Sequence, residues 1–589
     1  MSDGEVGKAS GGAPPGRDLG GWALKPGVTG ARWRARWLAV AVALTLAACS
    51  GVRGSSSDGQ PTAAEAARFL NQASYGATDA SIAEVRAAGY SVWIDRQITQ
   101  AAPTSHREEL DAILAPLRVT NPTATLNPPD FNHTYWEQAV TGPDQLRQRM
   151  KLALSEIFVI SLTDTTVDTR GAASYYDMLG ANAFGNFRTL LEGVALHPTM
   201  GVYLTWLGNQ KEDPATGRNP DENFAREVMQ LMTIGLYQLN TDGSVRTDSS
   251  GRPLPAYTAD DIRGLAKVFT GYSYYSPTPS NGTFRGGNRN ADATIRAMIP
   301  YPAFHSTSAK SFLGVTIPAS TTADPQGDLK IALDTLFNHP NVGPFISRQL
   351  IQRLVTSNPS PAYVGRVAAA FNNNGAGVRG DMAAVVRAIL LDTEARSATA
   401  AADPNYGKVR EPLVRLANWA RAFDAKSTSG VWDIPTTSGN TSLGQTALTA
   451  PSVFNFYRPG YSPPNTRVGA AGLVAPEFQI VDEVTVAGYL NTMQSTIDAG
   501  IGASVNGARD VRSTYAAEIA LAKDPEALVD RINLLLMNGA MSGRLRARII
   551  EAVGAISLPA TGSQTTALTN RAKLAIFMSM ASSEYLVQR

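Results

Sequence analysis

A single cysteine, Cys49, occurs in 589 residues, so the chain can close no intrachain disulfide and its fold must rest on a packed core. At 43% hydrophobic residues there is ample material for one, and the length suggests more than one packing unit. The strong catalytic signatures are missing as well. There is no HExxH, no GxSxG, no Walker loop and no paired CxxC, which removes the usual zinc-protease, serine-hydrolase, nucleotide-hydrolase and zinc-ribbon readings. Gly375 to Gly380, GAGVRG, matches the dinucleotide fingerprint only as a string, because it follows a helical run and not a strand. It reads as a Gly-rich link between helices, and Arg379-Gly380-Asp381 as a loop opening the next one. Period-2 strand patterns are scarce, and no internal repeat of fixed period is found.

What is present begins with a leader, residues 1–48. Arg32, Arg34 and Arg36 precede the apolar run Leu38 to Ala48, which is too short to span a bilayer and reads as the h-region of a secretory signal. The run ends in LAAC, and the position of Cys49 there resembles the bacterial lipoprotein signal, in which the cysteine is lipidated and becomes the mature N-terminus. The competing expectation is an ordinary signal peptide with an incidental cysteine. The net charge of the whole chain is +2. The leader carries three more basic than acidic residues, so the mature chain is near neutral, without the basic stripe that nucleic-acid binding needs. Residues 49–61 form a Gly/Ser tether. Order is expected from Thr62, a helix N-cap with Glu65 three residues later.

From there the spacing predicts an all-α fold over 62–589, mainly helical, with irregular loops and a few short strands. Strand candidates are confined to the polar, Gly-rich stretches Leu239–Leu254 and Tyr272–Ile317. A soft boundary near 275–325 divides an N-terminal lobe from a C-terminal one. The stretch Asn219 to Gly235 reads as a central helix, with Asn219 as N-cap, Pro220 at the first position, Glu222 closing a capping box and Gly235 as the stop. Phe224, Val228 and Leu231 line its apolar face, and Glu222, Arg226 and Glu227 its polar stripe. Thr258 with Asp261 caps a second helix.

The segments RFLNQASYGAT (Arg68–Thr78), ALHPTMGVYL (Ala195–Leu204), ENFAREVMQL (Glu222–Leu231) and YTADDIRGLAKVFTGYS (Tyr257–Ser273) recur together with four later ones. These are FHSTSAKSFLG (Phe304–Gly314), KVREPLVRLANWA (Lys408–Ala420), PSVFNFYRPGYSPP (Pro451–Pro464) and the closing SSEYLVQR. In these the chain resembles the bacterial domain of unknown function 1800 family, from about Ala64 to the C-terminus. The resemblance implies an exported, mostly helical protein and brings no catalytic residue list. It also implies a partner, because genes of that family often lie beside a second exported family resembling alkaline phosphatases and sulfatases.

Three functional expectations follow. The first is a cell-envelope lipoprotein, held to a membrane through Cys49 and accessory to such a phosphatase- or sulfatase-like protein, with no nucleic-acid partner. The second is an extracytoplasmic hydrolase acting on polymeric material, with Glu227 and His305 as the acid–base pair and Glu222, Arg226 and Lys310 beside them. In that reading Phe454, Phe456, Tyr457 and Tyr461 form a stacking wall for substrate. The third is a structural protein stabilised by a metal on Glu227, His197 and His305. Glu222 and Glu227 lie about 140° apart on a helix, so they do not converge by themselves. The bland alternative makes all these groups caps and ion pairs, with Arg263 or Lys267 as the cation facing Glu227.

Overall fold

The computed structural model describes residues 60–287 and 289–589. The leader, Cys49 and the tether up to Gly59 lie outside the described residues. Twenty-six α-helices carry the described part, joined by irregular loops and short antiparallel strand pairs, so the fold is mainly helical as the periodicity predicts. Among the described residues no helix is long and apolar enough to cross a membrane.

One hydrophobic cluster runs from Ala66 to Tyr585 and takes in residues on both sides of 275–325. Helix starts are well specified by local chemistry. Thr62 with Glu65 and Thr258 with Asp261 both form complete capping boxes. Asx turns by Asn373 and Asn374 organise the Gly375–Gly380 loop, and Asp381 caps the helix after it.

The central helix departs from expectation. It spans only Asn223–Gln230, and Glu222 stands at its N-cap in helical geometry with no side-chain cap. The Asn219–Glu222 capping box is therefore not formed. Asp221 takes over, accepting from the Asn223 amide at 2.8 Å, while Glu222 pairs with Arg226 at 3.1 Å. Phe224 is fully buried, stacked on Trp206 and edge-on to Phe269 with its ring centroid 4.7 Å away. Leu231 is only half-buried.

The neighbouring Ala259–Val268 helix lies so close to the hairpin Lys310–Phe312/Val315–Ile317 that a Cβ on Gly264 would sit 1.7 Å from the Ser311 carbonyl. No side chain fits there.

A helix and a hairpin are among the elements that the sequence pattern misses. His106–Thr120 is a helix despite an internal proline, Pro116, which masks the pattern. Ile501–Val505 and Ala508–Arg512 form a hairpin around Asn506-Gly507, both at positive φ, the dipeptide that a tight two-residue turn favours.

At the far end of the chain Lys408–Val409 pairs with Val587–Gln588. This ladder ties the C-terminus beside the Pro412–Ala422 helix and brings Lys408 and Glu411 into the interior.

Candidate functional site

The expected site residues do not converge on one place. His305, Lys310 and Asp328 meet. His305 Nε2 lies 2.9 Å and Lys310 Nζ 2.8 Å from the same Asp328 oxygen, and the imidazole Nδ1 donates to the Thr270 carbonyl at 2.8 Å. Burial opposes ionisation of Asp328, but the hydrogen bonds from His305 and Lys310 outweigh it and hold the carboxyl below its ordinary range. Both imidazole nitrogens are engaged, so this cluster is a buried clamp between the hairpin and the Pro325–Asn338 helix.

Glu227 lies elsewhere. It is buried, its Oε2 has no hydrogen-bond partner, and desolvation pushes its pKa up against the modest pull of Arg226. The expected cations are engaged otherwise, Arg263 with Asp260 and Lys267 with the Ala309 carbonyl. No hydrogen bond or ion pair joins Glu227 to His305 or His197 among the described residues.

His197 ends one helix and caps the next, accepting from the Thr199 amide at 3.2 Å. Burial pushes its pKa down to about 3. Among the described residues no three His, Cys, Asp or Glu side chains gather in an arrangement that could hold a metal ion.

The aromatic loop divides too. Phe456 and Tyr457 pack inward with Val159 and Ala450, and Tyr461 sits in a turn after Arg458. Phe454 alone of the four reaches an open pocket.

That pocket, of about 430 Å³, is the site the structure offers, and its size suits a small ligand or a short chain segment. One wall comes from the turn after the central helix, including Gln230, Leu231 and Ile234. Gly235 is the pivot of that wall: its φ is +72°, and a Cβ there would stand 2.8 Å from the Phe345 ring. The second wall is one face of the Val342–Leu354 helix, with Phe345, Arg348, Gln349, Gln352 and Arg353. Phe454 and Arg458 close the third side. The rim is unusually apolar for a surface: Leu236 is 50%, Tyr237 45%, Val245 42% and Phe454 36% exposed.

The floor is ionic. Glu156 lines the pocket, accepts from the Tyr457 hydroxyl at 3.1 Å and lies 3.4 Å from Arg353 Nε. Behind it stand Glu411 and Glu477, with Lys408 3.0 Å from Glu477 and 3.6 Å from Glu411, and Arg149 3.8 Å from Glu411. All are buried.

The cations do a second task. Arg149 and Lys408 both donate to the Arg353 carbonyl, at 2.6 and 2.9 Å, and Gln588 donates to that of Leu354. They satisfy the orphan carbonyls at the negative end of the Val342–Leu354 helix, which is buried here and could not find water.

The Glu156 and Glu411 carboxyls, buried in the same network, influence each other's ionisation. Burial and the Glu411 charge push the Glu156 pKa far up. Burial also opposes ionisation of Glu411, yet the charges of Lys408 and Arg149 and the influence of Glu156 together hold its pKa below the ordinary carboxyl range. Glu156 is thus the neutral acid and Glu411 the anion.

Of this floor the sequence singled out only Tyr457, as part of a stacking wall, and none of the charges. Arg149 and Glu156 lie in the stretch Gln145–Ser161, which also carries Arg147 and Lys151, so nothing local set them apart.

Residues 68–587 match the family model described as a protein of unknown function, DUF1800. The comparisons with curated proteins and with solved structures give no match.

Proposed function

The chain belongs to the DUF1800 family of proteins of unknown function, and from that premise we propose that it is an envelope lipoprotein whose pocket docks an apolar segment of a second exported protein, one resembling alkaline phosphatases or sulfatases. The observation that carries this reading is the apolar rim. Four large hydrophobic side chains stand at least a third exposed around a preformed pocket, an arrangement that costs solubility unless a partner covers it. Cys49 would hold the protein at the membrane face, and the residues up to Gly59 would give it reach.

The test is calorimetric titration of the purified phosphatase-like neighbour into this protein and into Leu236→Asp/Val245→Asp. Both residues are solvent-exposed, so the variant should keep its fold. Binding by the wild type and none by the variant supports docking at the rim. Equal binding by both, or none by either, overturns it.

A second reading, an extracytoplasmic hydrolase, has one observation in its favour. Glu156 is a carboxyl held protonated at the pocket floor, as a general acid must be. It would require Glu156→Gln to abolish a hydrolytic activity without loss of binding.

A further inference from the structure

The charge and hydrogen-bonding balance of the pocket is uneven, and the imbalance specifies an occupant. Its ionisable lining consists of Arg348, Arg353 and Arg458 against the single carboxyl of Glu156, which is kept neutral. Arg353 is spent on Glu156 and the Gln349 carbonyl. Arg348 and Arg458 have no carboxylate partner and no guanidinium hydrogen bond among the described residues. Arg458 only lies over the Phe454 ring, 4.7 Å from its centroid. Gln352 ties the loop of Arg458 to the helix of Arg348, because its Nε2 donates to the carbonyls of Ser357 at 2.9 Å and Pro459 at 3.2 Å. The residue after Arg458 is thereby bound to the helix that carries Arg348.

Those two bonds also fix the orientation of the Gln352 amide and leave its Oε1 buried without a donor. Gln349, one turn earlier on the same face, has its Nε2 buried without an acceptor. Two free guanidiniums, one orphan donor and one orphan acceptor therefore sit among apolar walls. A carboxylate answers the guanidiniums, and a peptide unit, with one C=O and one N–H, answers the glutamines.

We infer that the pocket is a receptor for the free C-terminus of a protein chain whose last residues are apolar. Arg348 and Arg458 take the terminal carboxylate, Gln349 and Gln352 pair with the last peptide unit, and Leu231, Leu236 and Phe345 hold the terminal side chains. A fatty acid would supply the carboxylate and the apolar body but no N–H for Gln352. This inference rests on the docking reading above and specifies which part of a partner is docked.

The test uses the full-length protein in detergent and a fluorescein-labelled peptide ending Leu-Leu-Val, as free acid and as C-terminal amide, followed by fluorescence anisotropy. Dodecanoate serves as competitor. The acid should bind at least about tenfold tighter than the amide, the worth of a charge-assisted hydrogen bond to carboxylate. Arg348→Gln and Arg458→Gln, both at exposed positions, should bring the acid down to the level of the amide and leave the amide unchanged. Gln352→Met should weaken both. Equal binding of acid and amide overturns the C-terminus inference while leaving the docking reading intact. Displacement of the peptide by dodecanoate at matching or lower concentration overturns it in favour of a lipid pocket. Failure of both peptides to bind overturns the C-terminus inference, while the docking reading stands or falls on the calorimetric titration with the rim variant.

Discussion

Glu156 and Glu411 are neighbours of the same type, yet the same substitution should affect them in opposite directions. Glu411 is the charged member, opposite Lys408 and Arg149 and bonded by Gln445 Nε2 at 2.8 Å. Its folded pKa is depressed, so its contribution to stability is complete above the unfolded carboxyl range near pH 4 and is lost as pH falls through the lower folded pKa. Glu411→Gln leaves two buried cations short of a counter-charge, and removing one partner of such a pair costs about 3–5 kcal/mol at neutral pH. Glu156 has a raised folded pKa. Its proton favours the fold below the unfolded carboxyl range, and that contribution fades as pH rises, because only the unfolded chain is then free to ionise. A glutamine there can still accept from Tyr457. Glu156→Gln should therefore be less costly at pH 7 than at pH 4, by more than about 1 kcal/mol. Urea unfolding of both variants at the two pH values, followed by tryptophan fluorescence, reads these numbers directly. A loss below about 1 kcal/mol for Glu411→Gln, or equal losses for the two variants, would refute the assignment of charge within the pair.

Three further outcomes are expected. Phe224→Ala should cost about 3–5 kcal/mol, and Leu231→Ala less than about half of that, because Phe224 is enclosed by Trp206 and Phe269 while Leu231 is an open pocket wall; equal costs in urea unfolding would show the helix face to be misplaced. Glu227→Gln should raise stability at pH 7 by about 1 kcal/mol, since a buried carboxyl with a raised pKa and no partner opposes folding once the unfolded chain ionises, and the gain should vanish below about pH 4. A loss at pH 7 would mean that Glu227 has a cationic partner after all. If Cys49 is lipidated, the protein should partition into detergent and Cys49→Ala should not; wild-type protein in the aqueous phase with an unmodified N-terminus rules the anchor out.

The helical class, most helix positions and the capping boxes at Thr62 and Thr258 were legible from the chain, because periodicity and caps act over three to seven residues. The core assignment of Phe224 and Val228 rests on the same local signal. Where that signal was broken the reading failed. Pro116 hid a helix, and the motif around Asn219 promised a cap that the chain does not form, because Asp221 caps the helix two residues later.

The site was beyond local reasoning altogether. His305 and Lys310 are five residues apart, but Asp328, which joins them, comes from the Pro325–Asn338 helix further along the chain. The floor of the pocket draws Arg149 and Glu156, Arg353, Lys408 and Glu411, Tyr457 and Glu477 from five separate stretches of sequence. Each reads alone as an ordinary charge in an amphipathic segment. Whether such a charge is solvated or sealed, paired or orphaned, depends on which segments pack against it. Burial and Coulomb energy depend on distances through space, and a one-dimensional pattern carries only distances along the chain.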